Sequence, residues 1–598
     1  APARVIGIYA EADGAGRLSP TSRRERSDYV VPRGESGGAR QGELVAAQVI
    51  PGRRLGLPEA RVVERLGSVR EPKAASLIAI HENDIPDHFG EAAMAEALAA
   101  RPVSLGTRND LRDLPLITID GADARDFDDA VWAAPDDAPD NRDGWRIVVA
   151  IADVSHYVVP GSALDREARQ RGNSVYFPDR VVPMLPHELS SDLCSLRPDE
   201  DRPVLAVDMR FDQHGNKLGH RFQRGLMRSA ARLTYEQVQD AHDGTDDSLP
   251  AALRNDVLAP LYGAWRALMH ARTEREPLEL EIPEMQVFLD DGGRVQAIRQ
   301  RPRLDSHRLI EDFMIAANVC AAETLEQHRQ PCMYRVHDEP DREKLRSLAD
   351  FLASMQLKLT IGEVLRPALF NRILGKARGS QNWEAVNQGI LRAQAQAMYS
   401  PENIGHFGLS LHRYAHFTSP IRRYADLLVH RALIRGLQLG DGGLSDDEAE
   451  RFTEIGEHIS NTERRAMVAE RSATDRYIAA YLQERVGAEF TGRINGVSRA
   501  GLFVRLDETG ADGLVPISTL GHEYFVFDDS RLSLTGDRTG RSYRLGDRVS
   551  VRLGEASPIT GGLIFQLLDD NATHPGGGRT RGPRRGRTGR RPGKGRRR

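Results

Sequence analysis

Five aspartates fall within ten residues, Asp120, Asp123, Asp126, Asp128 and Asp129, inside the run Leu114-Pro-Leu-Ile-Thr-Ile-Asp-Gly-Ala-Asp-Ala-Arg-Asp-Phe-Asp-Asp-Ala-Val-Trp132. Carboxylates packed this tightly repel, and such a run is ordinarily solvated. Here an apolar strand leads in and Ala130-Val131-Trp132 leads out, so the acids sit between segments that favour burial. Cations would relieve the repulsion. Hard divalent ions take oxygen ligands, and Mg2+ combines a few carboxylates with substrate phosphate. The residues alone leave three readings open: a catalytic metal site, a structural network with Arg125, or a solvated acidic surface. A calcium loop fails, because it needs Gly at its sixth position and Glu at its twelfth. Counting from Asp120 gives Arg125 and Val131, and counting from Asp123 gives Asp128 and Ala134.

Other chemistries find less support. Gly375-Lys376 is followed by Ala377, so no phosphate-binding Gly-x4-Gly-Lys-Ser/Thr loop exists, and there is no Gly-x-Ser-x-Gly elbow. His156, His337, His412 and His416 have no metal-ligand spacing and read as ordinary polar residues. Cys194, Cys320 and Cys332 are too few for a disulfide framework and read as buried reduced thiols, which fits a cytoplasmic protein. The longest apolar run, Ile147 to Val154, carries Asp153 and is far shorter than the ~20 residues a membrane span needs.

The elements that must position the acids follow from periodicity. A chain of 598 residues divides into several cores. Residues 1–75 carry short β runs (Val5–Tyr9, Asp28–Val31, Glu43–Ile50, Ala60–Leu66) separated by Gly and Pro, as a small barrel requires. Residues 76–104 read as a polar helical connector. The block 105–483 mixes strands (Leu114–Ile119, Arg146–Ile151, Val204–Phe211) with helices over 307–328, 422–438 and 448–485. In the first of these helices Ile310, Phe313, Ala317 and Ala321 share a face. Residues 487–570 return to β, with Phe490–Ile494, Gly501–Leu506, Gly513–Pro516 and Arg548–Leu553 as strands. Gly492, Gly496, Gly501 and Gly513 stand where a barrel bends. The fold class is therefore α+β and multidomain, a central mixed α/β domain flanked by β-barrels.

Net charge is −4, but it is unevenly spread. Residues 579–598 hold eleven Arg or Lys and no acid, leaving 71 basic against 86 acidic residues elsewhere. The Gly/Pro/Arg tail, 571–598, reads as disordered. Its chemistry suits phosphate backbones without sequence preference, with a protein partner or no role as the other readings.

Within this frame, Thr-Ile-Asp-Gly-x-Asp-Ala-Arg-Asp-Phe-Asp-Asp-Ala resembles the signature of the RNase R/RNase II exonuclease domain. The family's four key aspartates fall on Asp120, Asp126, Asp128 and Asp129, and Asp123 lies outside the set. Family-like blocks follow in order: Arg171-Gly-Asn-Ser-Val-Tyr-Phe-Pro178, Val182-Pro-Met-Leu-Pro186 with Leu193-Cys-Ser-Leu196, and His416-Phe-Thr-Ser-Pro-Ile-Arg-Arg-Tyr424. Residues 1–70 resemble the second cold-shock-type domain, and 487–569, with Gly501–Leu506 and Asp512-Gly-Leu-Val-Pro-Ile-Ser518, resemble the C-terminal OB-fold RNA-binding domain. The upstream helix-turn-helix and first cold-shock domain have no counterpart, and the chain starts at Ala1, so the expectation is an N-terminally truncated chain.

The resemblance implies a processive 3′→5′ exoribonuclease of RNA degradation, releasing 5′-nucleoside monophosphates from single-stranded RNA with a free 3′ end. It implies Mg2+, with Mn2+ as the alternative, held by Asp120, Asp126, Asp128 and Asp129, and Asp128 is the least replaceable of the four. It assigns Arg422 to the scissile phosphate. Pro420 marks the expected start of a helix, whose N-terminus would suit a guanidinium clamp. A plain surface arginine is the bland reading, and Arg423 is an equally visible candidate. Tyr176 reads as a core strand aromatic from its neighbours, whereas the resemblance stacks it on the 3′-terminal base. Tyr334 occupies a similar aromatic position, and Glu470 in Ala469-Glu-Arg471 resembles a late acidic position of the family. Phe503 and Tyr524, with Phe525, are the candidate stacking aromatics of the C-terminal barrel. The expected molecule is a cytoplasmic monomer without membrane contact, its barrels and tail funnelling RNA inward. The tail could also recruit RNA-decay or ribosome-associated proteins. An RNase II-like enzyme stalled by duplexes and a catalytically silent RNA-binding or chaperone protein on the same scaffold are the competing readings.

Overall fold

The computed structural model describes residues 4–568 except 13, 14, 23, 24, 26, 52–56, 70, 361, 363 and 530. The basic tail lies outside the described residues. Two closed five-stranded barrels flank a seven-stranded sheet with its helices. The strands of the first barrel are Arg4–Ala12, Ala15–Pro20, Tyr29–Val31, Glu43–Ile50 and Glu59–Ser68. Its core is Val5, Tyr9, Leu18, Val31, Val45 and Val62. Ala15–Pro20 was not foreseen as a strand, because its Gly, Ser and Pro content reads as a turn. It pairs antiparallel with both Arg4–Ala12 and Tyr29–Val31, and Pro20 closes the strand.

The connector is two helices, Ala74–Glu82 and Glu91–Ala99. The first is not a polar spacer. Ile78, Ala79 and Ile80 are buried, packed against the N-terminal barrel and the long C-terminal helix of the central block.

The central sheet runs Ala231–Thr234, Ile117–Asp120, Asp129–Pro135, Trp145–Ala152, Asp201–Phe211, Lys217–Arg228 and Asn109–Asp110. Its middle strands are nearly continuous apolar runs because both faces are covered. Ile147 to Ala152 are all fully buried. Ile117 lies opposite Val131. This register brings Asp120, at the end of one strand, and Asp128–Asp129, at the start of the next, to the same end of the sheet.

Helix Asp305–Gln327 buries Ile310, Phe313, Ala317 and Ala321 as their spacing requires. Helix Phe452–Gln483, 32 residues long, touches the connector helix, the Val175–Tyr176 strand and the C-terminal barrel. Cys194, Cys320 and Cys332 are buried and unpaired.

The second barrel comprises Glu489–Ser498, Gly501–Leu506, Asp512–Pro516, Arg548–Ser557 and Gly562–Leu567. Two of its glycines are sterically required. Gly501 sits at φ +142 with a Cβ position 2.1 Å from the Val515 carbonyl, and a Cβ on Gly513 would meet the Phe565 ring at 2.2 Å. A separate three-stranded sheet, Phe525–Asp528, Ser533–Gly536 and Ser542–Arg544, interrupts the barrel. Its short strands give too little periodicity to be seen in sequence.

Candidate active site

Four separate sequence blocks meet at the end of the hairpin. The acidic loop is braced by Leu193–Leu196: Phe127 N–H donates to Ser195 Oγ at 3.0 Å, Ser195 Oγ donates to the Arg125 carbonyl at 2.9 Å, and Leu196 N–H donates to the Phe127 carbonyl at 3.0 Å. Arg232, on the strand beside Ile117–Asp120, donates to the Ala122 carbonyl at 2.8 Å and lies over the Phe127 ring. The segments 171–178 and 416–424 zip together through main chain: Ser174 N–H donates to the Arg422 carbonyl at 3.0 Å and Tyr424 N–H to the Gly172 carbonyl at 2.9 Å. Sequence order hid these pairings because about 250 residues separate the blocks.

Asp128 is the centre of the site. Its residue is 4% exposed, its Oδ1 accepts from the Ile421 N–H at 2.8 Å, and its Oδ2 lies 3.5 Å from Arg422 Nε. Asp128 Oδ2 and Asp129 Oδ2 are buried without a hydrogen-bond partner. Burial pushes the Asp128 carboxyl well above the usual range. Burial, then the neighbouring Asp120, raise Asp129 to about 7. Burial also raises Asp120, against a 3.0 Å hydrogen bond from the Gly121 N–H. Asp123 is exposed, outside this group. Orphaned, desolvated carboxylate oxygens are what a hard cation would satisfy. Among the described residues, no group of three or more His, Cys, Asp or Glu side chains is placed to hold a metal ion. The two orphaned oxygens of Asp128 and Asp129 suit Mg2+, which keeps several waters and takes one or two carboxylates with substrate phosphate.

Tyr176 is not the core aromatic its neighbours suggested. It is 39% exposed, its hydroxyl donates to Asp126 Oδ2 at 3.1 Å, and its N–H donates to Glu470 Oε1 at 2.8 Å. Burial of the hydroxyl end, followed by Asp126, raises the phenol. Burial likewise raises Glu470, opposed by the Tyr176 N–H. Tyr176, Arg422, Arg423, Glu470, Tyr399 and Met467 help line a cavity of about 260 Å3 beside the acidic loop.

Several expectations need correction. Pro420 does not open a helix. The helix is Tyr424–Leu437, and Arg422 stands before it in a turn, its Nη2 donating to Ser419 Oγ at 3.0 Å. The guanidinium is therefore placed by that turn and by Asp128, not by a helix terminus. Arg423 is not equivalent to Arg422, since both its Nε and Nη2 bind Asp426 at 2.8 Å. Tyr334 is buried in the central core with its hydroxyl donating to Glu326 at 3.0 Å, and it does not line the cavity. Phe525 is 4% exposed and belongs to the barrel core, whereas Phe503 and Tyr524 are 41% and 73% exposed. His416, half-buried, meets the Tyr399 hydroxyl through Nδ1 at 2.9 Å, and His337 bonds main chain. Ser195, Arg232, Ser419 and Asp426 were missed. Ser195 and Arg232 are common polar residues whose partners are distant in sequence, whereas Ser419 and Asp426 pair with each other and with Arg422 and Arg423 inside one short segment.

Barrels on either side of a sheet that ends in a carboxylate loop are the architecture of an RNB-type chain. The RNB domain model matches residues 108–438, the cold shock domain model 18–90 and the S1 RNA binding domain model 483–565. Ribonuclease R of Escherichia coli is 37% identical over 597 residues, covering 96% of this chain and 72% of that protein. The chain belongs to the RNase R family of RNB exoribonucleases. Mycoplasma genitalium RNase R, solved with ribose-methylated single-stranded RNA, superposes with a TM-score of 0.89 at 26% identity, covering 95% of this chain and 90% of that one. Yeast Ssd1, a pseudonuclease, superposes at 0.69 with 17% identity, covering 89% and 67%, and shares the fold alone. No helix among the described residues is long and apolar enough to cross a membrane.

Proposed function

We propose that the chain is a processive 3′→5′ exoribonuclease that hydrolyses single-stranded RNA to 5′-nucleoside monophosphates in the cytoplasm. One observation carries the reading: Asp128 is buried between the Ile421 amide and Arg422, while its Oδ2, 3.5 Å from Arg422 Nε, and the Oδ2 of Asp129 accept no hydrogen bond. Because a pseudonuclease shares the fold, this site rather than the architecture supports catalysis.

Asp120, Asp126, Asp128 and Asp129 would hold Mg2+ or Mn2+. When bound, such ions supply an activated water and stabilise charge on the leaving oxygen. The remaining work falls to this chain's own groups. Arg422 offers a guanidinium, 44% exposed at its side chain, that can grip a phosphate while facing Asp128. The Ile421 N–H fixes one Asp128 oxygen and so aims the other into the site. Tyr176 presents its ring at the cavity beside the acids, where a terminal base can stack whatever its identity. Glu470 holds the Tyr176 main chain. Phe503 and Tyr524 offer further stacking faces on the C-terminal barrel. The relative from Mycoplasma genitalium, solved with single-stranded RNA, supports RNA as substrate.

The test is a time course on 5′-labelled unstructured RNA with Mg2+ and with chelator. The proposal expects full-length RNA to convert directly to a very short labelled product in Mg2+ alone. RNA that is bound but never shortened would establish the silent-binder alternative.

A further inference from the structure

The turn that presents Arg422 is held from behind by a carboxylate outside the acidic loop. Asp426 is fully buried in the first turn of helix Tyr424–Leu437. Its Oδ1 accepts from the Ser419 N–H at 2.8 Å and from Arg423 Nη2 at 2.8 Å, and its Oδ2 accepts from Arg423 Nε at 2.8 Å. One carboxylate thus ties together the residues on both sides of Pro420, Ile421 and Arg422. The tied segment has few alternatives: Pro420 restricts its own φ, and Ser419 returns a hydroxyl to Arg422 Nη2 at 3.0 Å. What the segment presents is the Ile421 N–H on Asp128 Oδ1 at 2.8 Å and Arg422 Nε 3.5 Å from Asp128 Oδ2. Asp426 itself does not line the cavity beside Tyr176.

A buried ion pair is a weak source of net stability compared with apolar packing, but charge-assisted hydrogen bonds are directional. Here the direction falls on the segment that faces Asp128. We propose that Asp426 is a positioning residue for RNA hydrolysis: it fixes the Ser419–Arg423 turn so that the Ile421 amide and the Arg422 guanidinium meet Asp128 in one geometry. The inference rests on the exoribonuclease reading above. It gives Arg423 a role distinct from that of Arg422, as the counter-ion of the brace.

The experiment compares the full chain, Asp426→Asn and the charge-neutral pair Arg423→Gln/Asp426→Asn for kcat and KM on unstructured RNA in Mg2+. Circular dichroism first verifies folding at the assay temperature. The neutral pair leaves no buried charge uncompensated, and it carries the test if Asp426→Asn unfolds. The expected result is a fall in kcat of about 10- to 100-fold with KM within about threefold, the signature of displaced groups rather than lost binding. In an Arg422→Lys background the same change should add little, because both substitutions disturb one clamp. Wild-type kcat in the folded neutral pair, a loss confined to KM, or full multiplication of the two losses would overturn the inference while wild type still cuts RNA. If wild type leaves RNA intact, the exoribonuclease reading falls and the positioning role falls with it.

Discussion

The N–H of Ile421 donates to Asp128 Oδ1 at 2.8 Å across 293 positions of sequence. This single bond joins the acidic loop of the hairpin to the turn that carries Arg422. It also divides the labour of one carboxylate, with one oxygen committed to the Ile421 amide and the other facing Arg422 without a hydrogen bond.

Replacing Asp128 with Asn keeps an acceptor for Ile421 but removes the charge. We expect kcat to drop by at least about 100-fold, the scale of losing one preorganised charge-stabilising group. RNA affinity, measured by anisotropy, should stay within about threefold. A variant that cuts at the wild-type rate would remove Asp128 from the chemistry.

Tyr176 separates into a ring and a hydroxyl. In the Asp128→Asn background, Tyr176→Ala should weaken binding of a short RNA by ~1–3 kcal/mol, while Tyr176→Phe should keep most of the affinity. Equal affinity in all three proteins would place the ring outside the RNA path.

Arg422 and Arg423 should fail differently. Arg422→Gln is expected to lower kcat with little change in melting temperature, since its side chain is 44% exposed. Arg423→Gln leaves Asp426 buried without its counter-ion, and a stability loss of about 3–5 kcal/mol is expected from denaturant midpoints. The reverse pattern would show that the two arginines had been assigned the wrong way round.

His430 gives a pH prediction. Its ring stacks on Phe417 and its Nε2 lies 2.7 Å from the Phe417 carbonyl. Burial, opposed by that carbonyl, lowers it from 6.5 to about 4. Because the folded value is depressed, the unfolded chain binds the proton first. Stability is therefore complete above pH 6.5 and declines as pH falls towards 4, by about 3 kcal/mol for this group. Urea midpoints of His430→Gln should show a shallower slope than wild type over that window. An unchanged slope would mean that His430 is not the titrating group.

Much of this arrangement was legible in the residues. The apolar strands around 117–120 and 146–151 were visible because burial on both faces leaves a continuous hydrophobic run. The four aspartates were visible because their density has no cheap structural explanation. Tyr176 was harder, since Val175 and Phe177 are buried and only the two-residue strand turns the ring outward. The helix start was misplaced because Pro420 is equally at home in a turn, and the Asp426 brace on Arg423 and Ser419 was not visible in spacing. Ser195 and Arg232 left no local signal at all, because each acts on main chain far away in sequence.

The most direct test follows both ends of one RNA in a single turnover, with distinct labels at the 5′ and 3′ termini. With Mg2+, the 3′ label should appear first and as a 5′-nucleoside monophosphate, while the 5′ label remains on a shrinking chain. Chelator or Asp128→Asn should stop both changes. Early loss of the 5′ label as a mononucleotide, internal fragments, or undiminished cleavage by Asp128→Asn would contradict a 3′→5′ exoribonuclease centred on Asp128.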